Sequence, residues 1–290
     1  MNKSKTILLT INLALPCFLS SQSFMSDSRG IKASFNYVSD EKDKGSVTEV
    51  GMSQWSANIP AFYFSNDKWS LGGGLGYEMT ELRFSDTSLI NEDSLHSLNI
   101  PLFLQYARSD KLQYLAMLNP NIAGDYESIS SDSLFYSVLV GARYNQSEKL
   151  KWLLGAFYSN GFDDDFLVPA IGFQWKIGDR SELVVGGPII RYSHNVSKSF
   201  DLLLEGRFAS NRWNTTAKYT GMPEDRDLRI RAYRLTGSIQ WNFTERQSAF
   251  ISIGRDFARE IEIQNKSDQA IYSRNMNEAF VTEIGYRLNF

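Results

Sequence analysis

The sequence predicts an all-β protein, a transmembrane antiparallel β-barrel of about twelve strands, with fourteen as the alternative. Three observations predict it. Apolar residues recur with a period of two, aromatic residues stand at the ends of the apolar stripes, and short polar connections alternate with long ones. A soluble β-sandwich would alternate too, but it has no reason to gather its rings at strand ends. Amphipathic rings settle at the headgroup level of a membrane, which places them there.

The stripes follow one another along the chain. Trp69, Leu71, Gly73, Leu75, Tyr77 and Met79 share one face, and Ser70, Gly72, Gly74, Gly76, Glu78 and Thr80 share the other. The pattern returns in Leu98–Tyr106, Leu112–Leu118, Tyr136–Tyr144 and Leu150–Tyr158. It continues through Ile171–Ile177, Leu202–Phe208 and Tyr233–Phe243, and ends in Phe280–Phe290. No stretch after the first twenty residues approaches eighteen uninterrupted apolar residues, so no transmembrane helix is expected.

Short turns are expected at Asn66–Lys68, Ser109–Lys111, Asn145–Lys149, Gly178–Ser181, Asn195–Ser199 and Thr244–Gln247. Longer loops are expected at Ser39–Ser46, Ser85–Ser94, Asn121–Ser133, Asn160–Asp165, Asn211–Asp227 and Gln264–Met276. Short turns on one side and long loops on the other describe an outer-membrane barrel with periplasmic turns and external loops. The Glu182–His194 segment is read as a partial hairpin, because each arm is shorter than the ~9–11 residues of a spanning strand. Ile59-Pro60, Ile100-Pro101, Val168-Pro169 and Gly187-Pro188 each precede a strand, and proline's missing donor predicts a strand irregularity at each.

The first residues are an address rather than structure. Two lysines in Met1–Lys5 precede the apolar run Ile7–Ser20, which predicts a signal peptide over residues 1–21 and one barrel domain over 22–290. Pro16 stands before Cys17 where a lipobox wants a small residue, which argues against a lipid anchor. With one cysteine there is no intramolecular disulfide, and two histidines argue against a multi-histidine metal centre. A net charge of -3 argues against nucleic acid as a partner. No glycine-rich phosphate loop follows a strand and no spaced ligand set occurs, so no cofactor is expected.

The chain ends Glu283-Ile284-Gly285-Tyr286-Arg287-Leu288-Asn289-Phe290. This octet resembles the C-terminal assembly signal of bacterial outer-membrane β-barrel proteins: polar, any, Gly, two of any kind, hydrophobic, any, terminal aromatic. Glu283, Gly285, Leu288 and Phe290 fill its four defined positions. The resemblance implies recognition by the barrel-assembly machinery and closure of the last strand against the first. The mature chain as a whole resembles Gram-negative outer-membrane barrel families known by fold rather than by activity. That implies an outer-membrane location, with lipid and lipopolysaccharide as surroundings, and names no substrate.

If the apolar stripes face lipid, Glu78, Arg143, Lys151, Lys176, Glu205, Arg207, Arg234, Asp256, Glu283 and Arg287 face the lumen. Their basic excess suits a small-solute pore with a weak bias toward anions. In the opposing reading these charges pair and, with Phe103, Phe157 and Leu203, fill the barrel. A structural or ligand-binding barrel acting through the loops Asn121–Ser133 and Asn211–Asp227 is the alternative function. The expectation is not an enzyme: His96, beside Ser94 and Ser97, is the single candidate base for external lipid chemistry. Arg255 falls on the apolar face and is expected above the membrane on an extended ribbon; Asp163-Asp164-Asp165 is expected as a solvated loop.

Overall fold

The computed structural model describes residues 30–42, 44, 48–85, 94–127, 129–161, 165–187, 189–217, 224–265, 267 and 269–290. The expected signal peptide and most of the Asp163-Asp164-Asp165 run lie outside them. The first strands are β1 (Gly30–Lys42), β2 (Glu49–Ser65), β3 (Trp69–Phe84), β4 (Ser94–Asn99), β5 (Leu102–Ala107) and β6 (Leu112–Gly124). Next come β7 (Leu134–Asn145), β8 (Leu150–Ser159), β9 (Phe166–Lys176), β10 (Ser181–Gly186) and β11 (Ile189–Ser197). The last are β12 (Phe200–Ala217), β13 (Glu224–Asn242), β14 (Gln247–Asn265), β15 (Ala270–Asn275) and β16 (Ala279–Asn289).

β1 pairs with β16 from Gly30↔Asn289 to Val38↔Val281, so the antiparallel sheet closes on itself. Closure leaves no open edge, the condition for strands to cross lipid. β4 and β5 are two halves of one crossing, both set between β3 and β6. β15 and β16 likewise both run along β14. The wall thus has fourteen crossings among the described residues, the alternative rather than the twelve first expected.

The difference lies in Glu182–His194, which is not a partial hairpin. β10 pairs with β9 and β11 pairs with β12, so both arms are wall. They are short because the wall is low here, while the adjoining β12 runs 18 residues. The proline sites divide as well. Pro60 stands at a register shift in β2, and Pro101 separates β4 from β5. Pro169 is paired without interruption opposite Ala156, contrary to expectation, because its missing donor leaves the flanking ladder intact. Gly187 has φ 58 and makes the tight turn between β10 and β11; Pro188 lies outside the described residues.

The outward stripes are the expected ones, with Leu71, Leu75, Val140, Leu154, Ile171, Leu204, Leu235, Ile253 and Ile284 all exposed. Trp69 and Tyr77, Tyr144 and Tyr136, and Trp241 and Tyr233 are each spaced eight residues along a strand. At ~3.3 Å per residue that is about 26 Å along the strand, matching the ~25 Å lipid-facing band of such barrels. Rings at the short-turn end meet one another, as in Trp69–Tyr106 at 4.5 Å and Phe200–Trp241 at 6.3 Å between centroids.

Beyond the upper rings the outward face turns ionic. Arg83 pairs with Asp40 at 2.7 Å and Arg231 with Glu262 at 2.8 Å. Arg255 sits at the border, opposite Phe280 in the ladder, and pairs with Glu278 at 3.2 Å. Two expected loops are therefore largely strand, and a third begins as one. Asn121–Gly124 belongs to β6, Ala270–Asn275 is β15, and most of Asn211–Asp227 lies in β12 and β13. Without lipid against them, their outward positions are polar and do not advertise a period of two.

The closing strand is fitted by small-on-large packing. A Cβ at Gly285 would collide with the ring of Phe250 and approach the carbonyl oxygen of Ala33. Lys32 Nζ in turn lies 5.1 Å from that ring's centroid. Gly285→Val is expected to destabilise the barrel by about 1–3 kcal/mol through overpacking. Adding Phe250→Ala should recover part of the loss, because the two sites are coupled. Urea unfolding followed by heat-modifiable migration on gels would measure both.

Candidate functional site

The long-loop end of the barrel is narrowed by one crossing strand. β12 loses β11 as a neighbour after Arg207↔Ile189 but continues for ten more residues to Ala217. Its upper part leans across the lumen, and Asn214 pairs in parallel with Gly124 of β6. The contact needs glycine, since a Cβ at Gly124 would strike the Asn214 carbonyl oxygen. A second, smaller ring results, built from every crossing except β7 to β11. It has nine crossings, close to the eight-strand size at which side chains fill the interior. Val38, Leu95, Leu228, Ile261 and Ile263 are fully buried there and join Val50, Met52, Leu82, Trp213 and Val281 in one apolar cluster. This collar fills the long-loop end among the described residues.

Below the collar the wall regains fourteen crossings and its inward face is polar on one side. Arg234 and Asp256 form a buried bidentate pair, with contacts of 2.7 and 2.8 Å. Arg234 Nη1 reaches Asn36 Oδ1 at 3.4 Å, and Asn36 donates to Gln54. Gln54 donates at 3.1 Å to both Glu78 and Thr80. Further down, Glu205 meets Arg191 at 2.6 Å and Arg207 at 3.6 Å, and Lys32 lies 3.7 Å from Glu283. Arg143 donates to Gln113. Lys151 and Lys176 lie toward the short turns, Lys151 opposite Gln174 and Lys176 opposite Glu182, and Arg287 is opposite Lys32. By strand parity all these positions oppose the exposed stripes. The structure also buries Phe103 and Phe157 inside, the latter packed with Leu115, Leu139, Leu153 and Val168, while Leu203 is half-buried. Charges pair and apolar side chains fill part of the lumen.

A cavity of about 210 Å³ lies beneath the collar. Glu78 of β3, Ser97 of β4 and Asn119 and Asn121 of β6 line one side. Phe135, Tyr136 and Ser137 of β7 and Ser159 of β8 line the low wall, and Ser210–Trp213 of β12 form the collar side. Arg212 is fixed here by Asp227, by the Asn160 carbonyl at 2.7 Å and by the Phe135 ring at 4.8 Å. A second cavity, about 480 Å³, lies at the short-turn end among Gln240, Asn242, Ser248 and Asn289. Of the residues around the upper cavity the sequence reading singled out Glu78; most of the others fall in segments taken as loop, or at neutral Ser and Asn positions that carry no charge signal.

Two alternatives are bounded by geometry. His96 is on the outward face, with Nδ1 2.8 Å from the Tyr77 hydroxyl and Nε2 3.3 Å from Ser94 Oγ, and it stacks on Tyr126 at 5.2 Å. Among the described residues, neither a carboxylate nor an amide orients it, as serine chemistry requires. The expected binding loop Asn211–Asp227 instead contributes Trp213 to the collar core, with Arg212 tied to Asp227 across the ladder. In the last strand, Glu283 and Gly285 face inward, while Leu288 and exposed Phe290 face outward.

The model of the family described as "Domain of unknown function (DUF6268)" matches residues 65–289, and the chain belongs to that family. No curated protein matches. Among solved structures, the COG4313 outer membrane channel from Pseudomonas putida F1 aligns with a TM-score of 0.51 at 11% identity, over 90% of this chain and 95% of that one. The Pseudomonas putida toluene transporter TodX aligns with 0.43 at 12% identity, over 94% and 92%. The NanC porin aligns with 0.42 at 8% identity, over 90% and 100%. These neighbours are transport proteins, and the first shares the outer-membrane barrel fold of this chain.

The Arg234–Asp256 pair offers a direct test of the inner network. Arg234→Ala is expected to cost about 3–5 kcal/mol, because it strands a buried carboxylate. Arg234→Met with Asp256→Leu should come close to neutral, since an apolar replacement of a buried pair removes both desolvation costs. Urea unfolding in vesicles would separate the two.

Proposed function

We propose that this member of the DUF6268 family is an outer-membrane pore for small polar solutes. The observation that carries the reading is the polar cavity left inside a closed fourteen-strand wall beneath the collar. A barrel that served only as an anchor would have no use for buried space lined by amides and hydroxyls. The outer-membrane channel of Pseudomonas putida with the same fold supports the reading at the level of architecture.

In this reading the short turns face the periplasm, and the ring-bordered apolar band meets lipid, with lipopolysaccharide on the outside. Residues 1–21 direct export and are removed. Glu283, Gly285, Leu288 and Phe290 present the last strand to the barrel-assembly machinery. The lumen-facing acids Glu205, Asp256 and Glu283 already hold basic partners, and Glu78 accepts from Gln54. Lys151, Lys176 and Arg287, with Arg143, supply the remaining positive potential near the periplasmic mouth, and the bias toward anions is correspondingly weak.

The refolded chain in planar bilayers should give stable conductance steps, with a reversal potential in a salt gradient that favours anions. Lys151→Glu with Lys176→Glu should shift that potential toward cations. A folded, heat-modifiable barrel that stays silent would overturn the pore. Deleting Phe290 should separately deplete the heat-modifiable form from outer membranes without lowering synthesis; unchanged assembly would remove the role given to the C-terminal octet.

A further inference from the structure

On one side of the lumen the charges meet in contact: Arg234 with Asp256, Arg191 and Arg207 with Glu205, and Lys32 with Glu283. The sector from β7 to β9 differs. Arg143, Lys151 and Lys176 face inward there, and among the described residues none of the three forms an ion pair. The ladder sets them side by side. Arg143 is opposite Leu153, two residues from Lys151, and Lys151 is opposite Gln174, two residues from Lys176. Each pair is therefore a diagonal neighbour on one face, about 7–8 Å apart and within reach of long side chains.

Their charges act on one another. Lys151 stands in the field of both Arg143 and Lys176, and Glu182 is the acid that works against them. Glu182 is opposite Lys176 in the ladder, yet the two form no ion pair. Three cations against one acid leave a surplus of two positive charges. Gln113 Oε1 accepts from both Arg143 and Gln105, which holds the guanidinium without neutralising it. Accessibility rises toward the short turns: Arg143 is buried, Lys151 half-buried and Lys176 exposed. A solute entering from that mouth therefore meets the two ammonium groups first. A wall patterned with one sign of charge focuses its field on such a solute, and ammonium N–H groups make their strongest hydrogen bonds to anionic oxygen.

We propose that Lys151 and Lys176, backed by the charge of Arg143, form a binding site for a small divalent oxyanion at the short-turn mouth of the lumen. Two negative charges on one solute balance the surplus, which a monovalent ion does only by half. Its use as a station of permeation rests on the pore reading; the binding site does not.

Two readouts keep the claims apart. Inorganic phosphate, mostly divalent at about pH 8, is titrated calorimetrically into the refolded full chain in micelles, with nitrate as the monovalent control. The expected result is saturable phosphate binding, roughly tenfold tighter than that of nitrate. Lys151→Gln with Lys176→Gln should weaken it roughly tenfold, and Arg143→Gln should weaken it less. Heat-modifiable migration checks the folding of each variant; the lysine pair, facing water, carries the test if the buried Arg143→Gln fails to fold. Lys68→Gln, in a separate short turn, should leave binding unchanged. Equal affinity for phosphate and nitrate, or phosphate binding untouched by the lysine pair, would overturn the site. In planar bilayers, phosphate should lower the conductance saturably, and the lysine variant should need more of it. Phosphate binding by a chain that never conducts would keep the site and remove the pore. Conductance steps without phosphate binding would keep the pore and overturn the site.

Discussion

A β-strand that outlasts its neighbour must find new partners for its backbone. β12 meets that constraint when β11 ends and it still has ten residues to run. An unpaired edge of this length would be a template for adhesion to other chains. Instead β12 crosses the lumen and joins β6 through Asn214 and Gly124. The low wall from β7 to β11 leaves room for this one contact, and the smaller upper ring with its apolar core depends on it.

The division of labour between the two rings is a matter of size. Nine crossings enclose little more than their own side chains, so the upper ring can be dry and apolar like a soluble protein's core. Fourteen enclose more, and the surplus space is met with paired charges, amides and the Phe157 cluster. Buried ion pairs add little net stability compared with apolar packing. Arg234 with Asp256, and Glu205 with its two arginines, are better understood as shaping a wet interior than as holding it together.

Where lipid touches the chain, the fold was legible residue by residue. The Trp69–Tyr77 and Tyr233–Phe243 stripes reported strand, face and band height at once, because lipid demands an unbroken apolar face. Above the band that demand disappears. Arg212, Asp227, Arg229 and Arg231 pair with neighbours in strands that read as polar loop. The arms of Glu182–His194 failed an ordinary length rule for a cause that lay elsewhere, in β12. The inward face of Glu205 and Arg234 followed from parity alone, but their partners Arg191 and Asp256 depend on the register each strand takes with its neighbour. Asn119 and Ser210 gave no signal, because a neutral polar residue becomes distinctive only once the fold sets it beside a cavity.

The collar also sets an order of events. Its core draws on Val38 near one end of the chain, Val281 near the other, and Trp213 between them. Contacts so distant in sequence form late, since the chain entropy of closing such long loops must be overcome before they return any free energy. The collar core is therefore complete only once β1 meets β16 and β12 meets β6. Before β1 and β16 pair there is no closed wall, so the apolar core of the collar belongs to the finished barrel alone.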